Sequence, residues 1–409
     1  MPWVEAPGIM ADLPERSERL VAEAAKLANV SAIDVRVARS PYRVCPLGAH
    51  VDHQFGRVTG MAIDRSILLA FAPTDDGSIR LASRDFEGSV DFNVAEAAGT
   101  SREFWGRYAA GAVLALEDIG IPVTRGIAGV VEGELPIGGL SSSAAVSVAY
   151  LLALEAVNGA DITPVQNIRL QQYIENVHIG LNNGILDQSV ILLSERDRLL
   201  VLDCLDEEWE LVSAPDTMPE FRIVVAYSGV SAALTSTGYN DRVAECKEAA
   251  RELMRLGGVG GPAEPRLRDV PVEVYETRAA SLEPKLARRA RHFFTENARV
   301  IAGRDAWAKG DLARFGELIN ESGQSSVADY ECGGPELITL FETLRATPGV
   351  QGARFSGGGF RGSCVGLCEP SAEDAIRAAI AERFPVEHPH VAETYEVHFC
   401  NSDDGASLI

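Results

Sequence analysis

The sequence predicts an α+β protein built as two domains. Strand-like and helix-like segments are mixed, without the regular strand–helix alternation of a doubly wound parallel sheet. The chain has 409 residues, more than the roughly 250–300 at which a single core stops growing. A Pro- and Asp-bearing junction, Ser213-Ala214-Pro215-Asp216, separates two apolar strands. It divides the chain into residues 1–214 and 215–409.

The elements follow from spacing and punctuation. Residues 15–29 place Leu20, Ala24 and Leu27 on one helical face. Residues 33–37 and 41–45 read as short strands around Ser40-Pro41, and 60–72 as a buried strand. Residues 78–93 alternate like a hairpin. Residues 104–118 are amphipathic and helical, and 126–133 form a strand. A helix then runs to about Val157, where Asn158-Gly159 stops it. Thr163-Pro164 opens another, reaching about Val177. Residues 190–203 read as a strand pair and 221–228 as the first strand of the second half. Residues 239–256 and 276–310 are charged helices, with a Gly- and Pro-rich loop at 256–265. Short strands and helices alternate over 352–368, 371–384 and 392–400.

Composition excludes several classes. A net charge of −22 argues against nucleic acid or an anionic membrane as a partner. Seven scattered cysteines without a CxxC pair suit reduced thiols and no zinc site. No apolar run approaches the ~18 residues of a membrane span. The polar start, Met1 to Arg19, does not resemble a signal peptide. A cytoplasmic protein, monomeric or a small homo-oligomer, is expected.

Three segments carry chemistry. In Leu135-Pro136-Ile137-Gly138-Gly139-Leu140-Ser141-Ser142-Ser143-Ala144-Ala145, glycines and serines precede an apolar helix. Glycine lets backbone approach a ligand, and free N–H groups at a helix start favour an anion. The segment is either a nucleotide phosphate cradle or a serine-capped helix. In Arg43-Val44-Cys45-Pro46-Leu47-Gly48-Ala49-His50-Val51-Asp52-His53, the spacing of His50 and Asp52 lets both face one pocket. Asp accepts two sugar hydroxyls, and His donates or accepts; the alternative is a polar turn. In Gly180-Leu181-Asn182-Asn183-Gly184-Ile185-Leu186-Asp187-Gln188, Asp187 either caps a helix or takes a hydroxyl proton beside an arginine. Glu175, one helix end earlier, is a candidate Mg²⁺ ligand or a solvated helical glutamate. A fourth segment, Gly352 to Gly362, holds three consecutive glycines, either a turn or a close approach to a ligand.

In this order and spacing the segments resemble the GHMP kinase superfamily, and most nearly its galactokinase branch. The opening signature GRVNLIGEHTDYNGG is matched by Tyr42 to Gly56, the phosphate loop PxGxGLSSSA by Pro136 to Ala144, CGIMDQ by Asn183 to Gln188, and GxRxTGGGFGG by Gly352 to Gly362. A looser fifth match covers Thr237 to Arg242. The resemblance spans about residues 35 to 400. It implies a two-domain fold with an N-terminal ribosomal-protein-S5-like domain and a C-terminal α+β domain, the site lying between them. It also implies ATP and Mg²⁺. Asp187 matches the catalytic aspartate and Arg43 the arginine that orients it. Asp52, His50 and Tyr239 match sugar-contacting positions, and Asn183 lies in the catalytic segment. Ser143 and Glu175 match the Mg²⁺ ligands, and Gly138, Gly139, Leu140, Ser141 and Ser142 the phosphate cradle after Pro136. Trp105 and Tyr108 match aromatic positions near the nucleotide.

The departures bear on the substrate. Galactokinases carry Glu where this chain has Ala49, and that Glu accepts a hydrogen bond from the C6 hydroxyl of galactose. Its loss removes ~1.5–3 kcal/mol of charge-assisted hydrogen bonding. A substrate carboxylate at C6 would instead be repelled by Glu, by roughly 4 kcal/mol for charges about 4 Å apart at an effective dielectric of 20. Ala49 removes that repulsion. His53 replaces a tyrosine and adds a donor. Arg361 replaces a glycine, as a surface arginine or a cation near the glycine loop. The run Pro41 to Gln54 resembles the galacturonate-phosphorylating members of the branch. The expected activity is phosphorylation of D-galacturonate at O1. The alternatives are a 1-kinase for galactose, glucuronate or N-acetylgalactosamine, and a non-catalytic sugar and ATP sensor.

Overall fold

The computed structural model describes residues 13–100, 105–136, 138–230 and 238–409. Phe104 of the expected helix, Ile137 of the serine loop and Thr237 of the fifth match lie outside them, as do the first twelve residues.

Helix α1 (Leu13–Ala28) is followed by strand β1 (Arg36–Val44) and the long strand β2 (Arg57–Thr74). Strands β3 (Ser78–Ser83) and β4 (Ser89–Asn93) form the expected hairpin, and α2 (Arg107–Asp118) and β5 (Gly126–Gly133) lead to the serine loop. Helix α3 (Ser142–Asn158) ends where Gly159 takes a left-handed conformation, φ 66°. Helix α4 (Pro164–Tyr173) starts from a reciprocal capping box between Thr163 and Gln166 and runs into a wider turn over Ile174–Ile179. Then come α5 (Leu186–Leu193), β6 (Arg198–Asp203), β7 (Glu208–Ser213) and β8 (Arg222–Tyr227). The second half continues with α6 (Tyr239–Gly257), α7 (Val272–Arg278), α8 (Pro284–Ala308), α9 (Leu312–Ala328), α10 (Pro335–Ala346), β9 (Val350–Phe355), β10 (Ser363–Cys368), α11 (Glu373–Glu387) and β11 (Glu396–Cys400). Two short strands, β12 (Ser402–Asp403) and β13 (Ser407–Leu408), end the chain.

Among the described residues these strands form two sheets. The larger runs β13-β1-β2-β5-β3-β4, with β12 and β6 pairing further along β2 and β7 pairing β6. The smaller runs β11-β8-β10-β9. The β3–β5 pair is parallel and the other pairs are antiparallel, as an α+β protein requires. Leu20 and Ala24 of α1 cover one face of the larger sheet against Val37, Leu68 and Val130. Helix α3 is buried almost all round, the pattern of a helix inside a core. The same core reaches Ile223 and Val225 of the smaller sheet and Trp307 of α8, so no apolar gap separates the two sheets.

Several expectations are corrected. The two strands around Ser40-Pro41 are one strand, β1. Pro41 lacks an N–H, and the ladder shifts register between Pro41 and Arg43 instead of ending. The expected strand pair over 190–203 is the end of α5 followed by β6; a short apolar run does not reveal its period. The helix expected at 276–310 starts at Pro284, after the separate helix α7. Leu27 is more than a third exposed, so the buried face of α1 is narrower than expected.

Candidate active site

A cavity of about 1130 Å³ is lined from both sheets. Arg43 leaves β1 just after its irregularity, almost wholly buried. Its Nε donates to Asp187 Oδ1 at 2.7 Å, and its Nη2 stands 2.7 Å from the same oxygen in an ion pair. Asp187 sits in the first turn of α5 after Ile185 and does not cap that helix. Its other oxygen accepts from the Ser141 hydroxyl. Ser141 reaches it from a left-handed backbone, φ 63°, a conformation that costs a residue with a Cβ of order 1–3 kcal/mol. Asp187 therefore has fixed partners, and its side chain keeps one quarter of its surface open to the cavity.

The serine loop is held from behind by the glycine segment. Arg43 Nη1 donates to the Gly139 carbonyl at 3.0 Å, as does Ser356 Oγ at 2.6 Å, while Ser363 Oγ donates to the Gly138 carbonyl at 2.8 Å. A Cβ on Gly138 would stand 2.8 Å from Gly362 Cα, and one on Gly139 2.8 Å from the Ser356 oxygen. The glycines of the two segments thus let two backbones touch. Pro136, Gly138, Gly139, Ser141, Ser142 and Ser143 all line the cavity. The Leu140 side chain does not: it is 1% exposed and belongs to the core, so Leu140 offers the cavity at most its backbone.

Ser143 Oγ donates to Glu175 Oε1 at 2.7 Å, and Asn183 Nδ2 donates to Glu175 Oε2. Glu175 is buried, not solvated; burial and then the Asp187 charge raise its pKa. Trp105 stacks on Phe86, and the Arg107 guanidinium lies over the Tyr108 ring. Both aromatic positions line the cavity.

Asp52, His50, Ala49, Asn183 and Tyr239 also line the cavity. Gly184 brings the Asp187 segment against Asp52, since a Cβ there would lie 2.6 Å from the Asp52 carbonyl carbon. Burial and the neighbouring Asp187 charge raise the Asp52 pKa to about 6. His50, at φ 58°, stacks on Tyr330 with ring centroids 4.3 Å apart; burial and Arg354 keep it neutral. His53 is placed differently from these residues. It does not line the cavity but lies beneath it, Nε2 3.2 Å from Tyr330 Oη and Nδ1 against the Gln54 amide.

Sequence reasoning missed the residues that hold Ala49. Glu296 Oε1 accepts from the N–H groups of Gly48 (2.8 Å) and Ala49 (3.2 Å), and His292 Nε2 donates to the Ala49 carbonyl at 2.9 Å. Both sit on α8, where a glutamate among many charges reads as solvated. Arg354 and Ser356, from the glycine segment, were visible only as spacing.

The N-terminal domain model of the GHMP kinases matches residues 107–195, and their C-terminal domain model matches 304–386. The chain is 44% identical to a galacturonokinase of Arabidopsis thaliana, over 92% of this chain and 94% of that protein. It is 32% identical to a Roseiflexus galactokinase, over 91% and 93%. A crystal structure of Lactococcus lactis galactokinase complexed with galactose superposes with a TM-score of 0.87 at 28% identity, covering 97% of this chain and 99% of that one. With its serine loop, its Arg43–Asp187 pair and its glycine segment assembled around one cavity, this chain belongs to the GHMP kinase family and is a sugar kinase.

Proposed function

We propose that this kinase transfers the γ-phosphoryl group of ATP to the anomeric hydroxyl of D-galacturonate, giving galacturonate 1-phosphate and ADP. The observation that carries the substrate is Ala49 in the cavity wall, beside His50 and Asp52, with no carboxylate side chain at that position. The 44% identity to a galacturonokinase supports the same reading. The site in this reading lies between residues 1–214, which supply Arg43 and Asp187, and 215–409, which supply the glycine segment.

Asp187 accepts the O1 proton as O1 bonds to the γ-phosphorus. The bond from that phosphorus to the β–γ bridging oxygen breaks, and ADP leaves. Arg43 keeps Asp187 oriented and offsets negative charge on the transferred group. Asp52 and Asn183 hold ring hydroxyls, and the backbone N–H groups of the serine loop receive the phosphates. Ser143 and Glu175 offer adjacent oxygen donors on the wall, and the buried Ser142 hydroxyl has no hydrogen-bond partner. Hard oxygen donors of this kind fit Mg²⁺; bound by Ser143 and Glu175, it would neutralise phosphate charge.

The chain's seven cysteines are all free and buried, which supports a reducing, cytoplasmic location. Among the described residues no helix is long and apolar enough to cross a membrane.

The test is ADP release with ATP and Mg²⁺ against D-galacturonate, D-galactose and D-glucuronate in parallel. Fastest turnover with galacturonate is expected. Faster turnover with galactose would favour the second reading, a galactokinase, to which the Roseiflexus and Lactococcus likenesses point.

A further inference from the structure

Among the described residues four arginines line the cavity: Arg43, Arg107, Arg354 and Arg361. Arg43 is committed to Asp187. Arg107 lies at the nucleotide end, bonded to the Tyr108 hydroxyl. Arg361 is exposed, beside Gly362, which packs on the serine loop. Arg354, on β9, is different. It is 2% exposed, and its Nε is used by the Phe355 carbonyl at 2.9 Å. Its Nη1 is buried with no hydrogen-bond partner.

Such a group normally finds an acceptor, and a buried guanidinium normally finds an anion. The carboxylate of Glu296 stands 3.9 Å from Nη1, beyond hydrogen-bond reach. Its oxygens are already occupied, by Gly48 and Ala49 N–H groups, the Ser322 hydroxyl and Arg299 at 2.7 Å. Two guanidiniums, Arg299 and Arg354, thus share one buried anion, while the adjacent His50 and His292 are held neutral by burial. One positive charge is left over. It lies near Ala49, because the Glu296 oxygen that accepts from the Ala49 N–H at 3.2 Å stands 3.9 Å from Arg354 Nη1.

We propose that Arg354 pairs with the carboxylate of a sugar-acid substrate, through the guanidinium edge left without an acceptor, and that Ala49, where galactokinases carry Glu, is what opens that pairing. The proposal rests on the sugar-acid reading above. Arginine offers a planar fork that matches a carboxylate in two hydrogen bonds. Ala49 leaves the space, and Arg354 supplies the charge.

The experiment compares D-galacturonate with D-galacturonamide, which keeps the shape and loses the charge, in the wild-type enzyme and in Arg354→Gln. The readout is the ratio of kcat/KM for acid to kcat/KM for amide. The wild type is expected to favour the acid by about 10- to 100-fold, and Arg354→Gln to bring the ratio near one. A wild-type ratio that survives in Arg354→Gln overturns the proposal, since a purely structural arginine would damage both substrates alike. Ala49→Glu carries the same test with Arg354 in place. It puts a protein carboxylate beside the guanidinium and should lower the ratio below one; an unchanged ratio overturns the proposal. Failure of the underlying reading looks different: the wild type would then turn over galactose faster than galacturonate.

Discussion

Asp187 and Asp52 are two carboxylates within one cavity whose environments set them apart. Asp187 takes one hydrogen bond and a further ion-pair contact from Arg43, and one hydrogen bond from Ser141. Asp187→Asn should lower kcat by about 10²–10⁴-fold while sugar binding, measured by calorimetry, stays within a few fold; full turnover in that variant would remove the catalytic assignment. Asp52 has its pKa raised to about 6, by burial and by Asp187. In the sugar-binding role proposed for it, only the ionised form is an acceptor at both oxygens. The kcat/KM for sugar should therefore rise with pH through about 6, and Asp52→Asn should flatten that limb. The stability effect has the opposite sign. A carboxyl whose folded pKa is raised contributes stability below its unfolded value that is lost as pH rises through the folded value. Asp52→Asn should thus be more stable than wild type at pH 7, by roughly 3 kcal/mol at most, and the two should converge near pH 4. Equal denaturation midpoints at pH 7 would contradict the raised pKa. The residues of this site were legible because each motif keeps its chemistry local. What was not legible is support from elsewhere in the chain: Glu296 lies 247 residues from the Ala49 it holds.

At the scale of elements, the site depends on two glycine-bearing segments whose backbones meet. Gly139 has φ +79°, and a Cβ there would stand 2.8 Å from the Ser356 carbonyl oxygen and 3.1 Å from the Ser363 nitrogen. Both obstacles are backbone, so neither can rotate away. Gly139→Ala should strain the loop by roughly 1–3 kcal/mol and shift the serine N–H groups proposed to receive the phosphates. An increase of tenfold or more in the KM for ATP is expected, with unchanged far-UV circular dichroism; constants within twofold of wild type would show that the contact is not needed. The elements themselves were readable where punctuation was strong, as at Gly159 and at Thr163-Pro164. They were misread where tertiary pairing decides. Nothing local says that Pro41 stays inside a strand, since that follows from β2 running alongside it. Helices α9 and α10 went unread, although both are present and pack on β9.

For the whole molecule, the last nine residues matter most. Strand β11 belongs to the smaller sheet and β12 to the larger, with only Asn401 between them. The chain therefore ends by stitching one sheet to the other. Strand β13 adds to the edge of β1, pairing Ala38 with Leu408 and Arg39 with Ser407, while β12 pairs Asp403 with Ala62 of β2. No strand-like signal marked 402–408, because two-residue strands show no period. The stitch is fixed by charge. Asp403 is 7% exposed and receives both Arg39, itself 7% exposed, and Arg196 from the loop before β6. Removing one partner of a buried ion pair leaves an uncompensated charge, which typically costs 3–5 kcal/mol. In Asp403→Asn, the buried Arg39 would keep only a carbonyl, that of Asp404 at 3.3 Å, while Arg196, largely exposed, would return to water. Asp403→Asn should therefore lower unfolding free energy by about 3–5 kcal/mol, read as a lower denaturant midpoint at constant slope. Asp403 does not line the cavity, so kcat measured well below the transition should remain near wild type. A loss under 1 kcal/mol would mean that backbone pairing of β12 and β13, and not the buried pair, holds the tail across the two sheets.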